Sequence, residues 1–195
     1  MGFPSLAHPR LHLMFTSVTA LVCLRVDRIH WAMKTNNLRL ISPPPHRRIV
    51  LVDAENMSAC GDPCAAEVAW TRETLRALIH DWAAAFVVVG SSHYAARTVA
   101  FGFPRVRHLW RSGENGADLA LLAVMETERI EARFTAITLC SGDGIFAEPL
   151  ARCVEAGLHT TVIARRGQLS LALRRTAHQV IEISPRAMPA EMRAA

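Results

Sequence analysis

Short runs of β-branched and aliphatic residues recur between helical stretches, and the first run, residues 48–53 (RIVLVD), stops on an acid. Such a run, apolar on both faces, reads as a buried parallel strand. Further strands are expected at residues 85–89, 106–110, 135–140, 160–164 and 179–183. Between them the spacing predicts helices. One carries Val68, Leu75, Leu78, Ile79 and Trp82 at intervals of three and four, with Asp62 and Pro63 as its expected N-cap and first-turn proline. A short one lies near residues 93–100. The helix at 117–129 is apolar on most sides and expected to be buried. Phe146, Leu150 and Val154 mark another, with Gly157 ending it, and the last covers residues 170–177. Strand and helix alternating at this spacing define a doubly wound parallel sheet. A hydrophobic fraction of 51% against 20% charged residues suffices for its core.

Ligands of such sheets bind beyond the carboxyl ends of the strands, where strand order reverses. Asp53 ends the first strand, and Asp143 follows the fourth in the loop Ser141, Gly142, Asp143, Gly144. Asp118 opens a helix after a strand-exit loop, so it belongs to the same edge. Singly, each acid has an ordinary reading: a loop cap for Asp53, a helix N-terminus for Asp118, a turn for Asp143. Their convergence on one edge points to a site. Three carboxylates brought together repel unless a cation neutralises them, and hard oxygen donors suit Mg²⁺ or Mn²⁺. Such an ion can activate a water and stabilise charge on a phosphodiester. Asn56 can orient a substrate or a water there. Ser141 and the backbone of Gly142 and Gly144 offer donors to phosphate oxygens.

The net charge of +5 is unevenly placed. In residues 1–46, four arginines and Lys34 face one acid, Asp27, whereas 17 arginines face 16 acids in the remainder. A nucleic-acid argument therefore rests on local arginine placement. Among the five cysteines, Cys140 and Cys153 read as core residues, and Cys60 and Cys64 lack a second ligand pair for zinc. This usage suggests a reduced, cytoplasmic compartment. Residues 11–24 form an apolar run shorter than the ~20 residues that cross a bilayer, so no stable membrane insertion is expected. The run resembles the hydrophobic region of a signal peptide, but no small-residue cleavage site follows. Residues 1–46 are expected to be a disordered extension or the product of an upstream start, with Met33 as the true beginning. Residues 47–184 form the domain and 185–195 a tail.

Three blocks resemble the NYN family, a branch of the PIN-like nuclease superfamily: residues 49–56 (IVLVDAEN), 116–121 (GADLAL) and 139–146 (LCSGDGIF). Residues 157–163 resemble the family's closing strand, and the similarity spans about residues 48–183. The resemblance implies a PIN-like three-layer α/β/α sandwich with a mostly parallel central sheet, and metal-dependent cleavage of RNA. Its catalytic set maps onto Asp53, Asn56, Asp118 and Asp143, with Asp53, Asp118 and Asp143 as ligands to Mg²⁺ or Mn²⁺ and no small-molecule cofactor. The chain departs from the family at three places. Many members carry acids where Ile145 and Val124 or Met125 stand here, and a frequent late Asp is His178. Glu126 is adjacent to one gap, and Glu55, Glu114 and Glu148 are candidate substitutes.

With RNA as the implied partner, Arg97, Arg111, Ser141, Arg165 and Arg166 are the expected contacts, and Arg174 and Arg175 would extend the groove. Trp110 is expected in the core, with base stacking as its alternative. The competing function is a non-catalytic RNA-binding or regulatory module with a degenerate site. A phosphatase using Asp53 as nucleophile is disfavoured, because Glu55 stands where a second Asp is needed and no lysine follows residue 46. A dinucleotide site is weaker still, as no GxGxxG follows the first strand. A homo-oligomer is compatible with the sequence, but nothing in it supports one.

Overall fold

The computed structural model describes residues 47–184. The expected extension at 1–46 and tail at 185–195 lie outside the described residues. Six strands form one parallel sheet: β1 Arg48–Asp53, β2 Phe86–Ser91, β3 Arg107–Trp110, β4 Ala136–Cys140, β5 His159–Arg165 and β6 Gln179–Ile183. Their spatial order is β3-β2-β1-β4-β5-β6, with every neighbouring pair parallel. The chain thus builds outward from β1 in one direction, then crosses back and builds in the other from β4. The gap between the β1 and β4 exits is the topological switch point.

Helices cover both faces, as the alternation of β1 side chains requires. Val50 and Val52 pack with α1 (Ala54–Ser58), α2 (Ala65–Leu78) and α3 (Ala96–Gly102) through Met57, Val68, Leu75 and Val99. Ile49 and Leu51 pack on the other face, with α4 (Gly116–Thr127), α5 (Ile130–Arg133), α6 (Ala147–Glu155) and α7 (Leu171–Thr176). Leu121, Ile130, Leu150 and Leu173 are fully buried there. The α/β/α sandwich is therefore present, with a sheet that is parallel throughout. Cys140 and Cys153 are core residues, as expected.

Several local expectations are corrected. Helix α2 starts at Ala65 with Cys64 at its N-cap, because the Glu67 carboxylate reaches back to accept the Cys64 amide at 3.0 Å. Helix α4 is buried along one face only: Ala117, Leu121, Val124 and Met125 point inward, while Ala123 and Glu126 are exposed. The short turn α5 follows it. Phe146 closes a 3₁₀ turn (Gly144–Phe146) ahead of α6, and Cys153 rather than Val154 faces the core. Trp110 is half exposed, since it ends an edge strand and projects past the sheet, stacked on His108 with ring centroids 6.3 Å apart.

At the opposite sheet edge, Arg48 joins three segments. Its Nε donates to both Asp81 oxygens at 2.9 and 3.0 Å, and Nη1 donates to the Thr138 hydroxyl of β4 at 2.8 Å. Burial raises the Asp81 pKa, but the hydrogen bonds and charge of Arg48 outweigh it, so the net shift is downward. A lowered folded-state pKa stabilises the fold above the ordinary Asp range, and that stability is lost as pH falls through the folded value. Asp81→Asn should cost about 1–2 kcal/mol in urea unfolding at pH 7. The difference from the native protein should shrink on acidification below the ordinary Asp range. A pH-independent difference would contradict the assignment.

Candidate active site

Asp53 is the last residue of β1 and the N-cap of α1, and its side chain is 3% exposed. One oxygen accepts the Asn56 amide at 3.1 Å and the other accepts the Ser141 hydroxyl at 3.2 Å. Because alternate residues of β1 share a face, Asp53 falls on the α4 side with Ile49 and Leu51. There it meets Asp118, the third residue of α4. Burial pushes the Asp53 carboxyl well above its ordinary value, and the hydrogen bond and charge of Asp118 push it further. The Asn56 amide and Ser141 hydroxyl act in the opposite direction. Asp118 is raised by burial first and by the charges of Asp143 and Glu55, against its hydrogen bond with Asp53. The two acids therefore share the burial that favours their protonated forms, with Asp143 and Glu55 acting on Asp118 by charge.

Two close backbone approaches set this geometry. The first places α4. A Cβ at Gly116 would lie 2.1 Å from the Arg111 carbonyl oxygen, so only glycine lets the helix start this near the β3 exit. The second places Asp143. A Cβ at Gly142 would lie 2.3 Å from the Gln168 carbonyl oxygen, and the Gly142 carbonyl accepts the Ser170 amide at 2.9 Å. The Asn56 side-chain oxygen accepts the Gly142 amide at 3.0 Å, tying the β1 exit to the β4 exit.

Ser141 is fully buried, donates to Asp53 and accepts the Asp143 amide at 3.2 Å. Its hydroxyl, expected to contact phosphate, is enclosed here and links Asp53 to the Asp143 backbone. The Asp143 side chain is exposed and accepts the Ile145 amide at 3.0 Å, capping the 3₁₀ turn. Among the described residues, no three His, Cys, Asp or Glu side chains stand together as a ready metal-ligand group.

The residues at hand nonetheless match a hard cation in chemistry. The donors are all oxygens, and Asp118 Oδ1 is buried with no hydrogen-bond partner. A divalent cation held by Asp118 and Asp53 would supply a partner to that atom and favour the charged form of both acids. Mg²⁺ needs only one or two carboxylates, because it retains waters and takes substrate phosphate oxygens as its remaining ligands.

The substitute acids separate clearly. Glu55 lies on the site, where its carboxylate accepts the Ser92 amide at 2.6 Å and its charge acts on Asp118. Glu126 pairs with Arg152 at 3.8 Å, Glu148 pairs with the same arginine at 2.9 Å, and Glu114 lies exposed in the loop before α4. Val124 and Met125 are core residues. His178 stands just before β6, at the far edge of the sheet, bonded to Thr160. His178 therefore lies away from the acid pair.

Arg111, Arg165 and Arg166 lie at the exits of β3 and β5, and Arg97 lies in the first turn of α3 beyond β2; Arg97, Arg111 and Arg166 are exposed. Arg165 is half-buried and donates to the Met57 carbonyl at 3.1 Å, closing the end of α1. Arg174 is paired with Glu182, which limits its use in a groove, while Arg175 is exposed. Tyr94, 88% exposed beyond β2, was not singled out by sequence pattern. Its signal was being the single tyrosine in the chain, located in a strand-exit segment.

The strand order, the acid pair at the switch point and the three sequence blocks together define an α/β domain of the PIN-like nuclease type. An NYN domain matches residues 47–184, and the chain belongs to the NYN family. The fold is also similar to the crystal structure of a protein of unknown function from Vibrio parahaemolyticus RIMD 2210633. That likeness has 18% identity and a TM-score of 0.45, covering 73% of this chain and 95% of the other. No curated protein matches. No helix among the described residues is long and apolar enough to cross a membrane.

The close contact at Gly142 makes a sharp prediction. Gly142→Ala should destabilise the domain by about 1–3 kcal/mol and speed hydrogen exchange at the Ser170 amide. Gly144→Ala, whose Cβ would meet Ser170 at 3.4 Å, should be much milder. Equal effects at the two glycines would contradict the packing described.

Proposed function

We propose that the chain is a divalent-metal-dependent ribonuclease hydrolysing RNA phosphodiester bonds. Asp53, Asp118 and Asp143 would hold Mg²⁺ or Mn²⁺, with Asn56 as the polar companion. The observation that carries the reading is the buried Asp53–Asp118 pair at the switch point, with Asp118 Oδ1 lacking a partner. Membership of the NYN family supports nucleic-acid hydrolysis as the chemistry.

When bound, the ion would supply Lewis-acid stabilisation of phosphoryl charge and acidify a water for attack. The chain's own residues do the rest by position. Ser141 holds Asp53 and the Asp143 backbone in one register, and Asn56 fixes the Gly142 loop against β1. Glu55 anchors the β2 exit through Ser92 and adds negative charge beside the pair. Arg97, Arg111 and Arg166, exposed on the same edge, would attract the phosphate backbone without reading sequence. Arg165 has one amino group occupied and would contribute mainly by charge. Exposed Trp110 and Tyr94 offer aromatic faces to bases at that edge.

One observation favours the non-catalytic alternative: the Asp143 carboxylate is engaged in capping its own turn, beside Ile145 where many relatives carry an acid. The same assay separates the two readings. With Mn²⁺ or Mg²⁺ the native chain should cleave RNA, and a chelator should abolish cleavage. Asp53→Asn and Asp118→Asn should each lower the rate by about a hundredfold or more while leaving the protein folded. RNA bound but uncut across both metals would establish the binding module. Cleavage that survives Asp118→Asn would remove this site from the reaction.

A further inference from the structure

A cavity lies at the opposite edge of the sheet, among the segments entering β2 and β3. It measures about 520 Å³ and is lined by Arg72, Arg76, Trp82, Phe103, Pro104 and Arg105, with Ala85, Val87 and Val106 at its base. Helix α2 forms one side and the turn after α3 the other. Three features set it apart. Its lining holds three arginines and no acid. Its wall carries an indole, with Trp82 half-buried and tilted against Phe103 at 6.5 Å. Arg105 has a φ of +63°, a left-handed conformation that a long side chain rarely adopts. Backbone strain of this kind costs of order 1–3 kcal/mol and clusters at ligand sites.

The arginines are not equivalent. Arg72 is committed to structure: Nη1 donates to the Gly102 carbonyl at 2.8 Å, and Nε and Nη2 engage Glu73 at 2.9 and 2.7 Å. Arg76 is exposed and only loosely paired with Glu73, at 3.5 Å. Arg105 is exposed and has no ion pair among the described residues. Arg76 and Arg105, with donors not committed elsewhere, therefore line the same cavity as Trp82 and Phe103. Guanidinium forks match phosphate oxygens, and an indole face accepts a planar ring. The cavity lies within the 300–1,000 Å³ typical of small-ligand sites.

We propose that this cavity is a second, non-catalytic site that binds a nucleotide, its phosphate held by Arg76 and Arg105 and its base against Trp82. The ligand is either a free nucleoside monophosphate or one nucleotide of an RNA strand. Neither the acid pair nor the ribonuclease reading is needed for it.

Calorimetry on the full-length chain tests this, with adenosine and uridine monophosphates, the unphosphorylated nucleosides and inorganic phosphate, in chelator so that RNA remains intact. A monophosphate should bind with a Kd of about 1 mM or tighter, more strongly than either phosphate or nucleoside alone. Arg76→Gln with Arg105→Asn should weaken it about tenfold or more, and Asn tolerates the left-handed backbone. Quenching of indole fluorescence by the monophosphate should disappear in Trp82→Phe. If the double variant melts early, Arg76→Gln alone serves, since that side chain is exposed. A single-stranded RNA oligomer that competes with the monophosphate, with the same arginine dependence, identifies an RNA strand as the source. Failure to compete identifies a free nucleotide. No monophosphate binding, binding equalled by inorganic phosphate, or binding indifferent to both arginines would overturn the proposal.

Discussion

The Asp53 carboxylate is the point on which the site edge depends. Taking an acid to 3% exposure is costly unless its oxygens are satisfied. Asp53 meets that cost with bonds from Asn56 and Ser141, and each bond fixes a different chain segment. The first closes α1 onto β1. The second joins β1 to the β4 exit across the switch point, and the Asn56 side chain repeats that join through Gly142. Asp118 then arrives from α4 on the same face. The remaining arrangement follows from one buried acid between the two halves of a sheet.

Two carboxyls held together in partial burial resist ionisation, and the shifts at Asp53 and Asp118 are both upward. The folded chain thus keeps a strained charge balance at this edge, which a proton or a hard cation relieves. Asp81, paired with Arg48 at the other end of the sheet, is lowered instead. The contrast locates the site more sharply than net charge does. It also separates Glu55, which lies within reach of the pair, from Glu126 and Glu148, which are spent on Arg152.

Much of this was legible in the sequence. Strand β1 ends on Asp53 as the apolar run implies, because a strand buried on both faces leaves an unbroken hydrophobic signature, and the edge strand β6 spans residues 179–183 as its Val180, Ile181 and Ile183 imply. The acid edge was legible too, since strand-exit positions follow from topology. Other features were not. Helix α2 begins at Ala65 because a side chain three residues into the helix takes up the cap amide, and this competes with the Asp-Pro signal before it. Trp110 looked like core because residue type carries no information on whether a strand lies at the sheet edge. The enclosure of Ser141 was not legible either, because it depends on the packing of the β5–α7 loop on Gly142 and the register of β4 against β1. The arginine-lined cavity draws on α2 and on the segments entering β2 and β3, so no local pattern announces it.

The central claim is that Asp53 and Asp118 form a pair whose burial favours the protonated forms, a balance that a divalent cation would reverse. Carbon-13 NMR titration of the two carboxyl groups, with and without Mg²⁺, tests it most directly. Without the ion both groups should titrate above the ordinary carboxylate range, and Mg²⁺ should move both titrations downward. Two ordinary titrations that ignore Mg²⁺ would contradict the account, because the pair would then be neither strained nor a cation site.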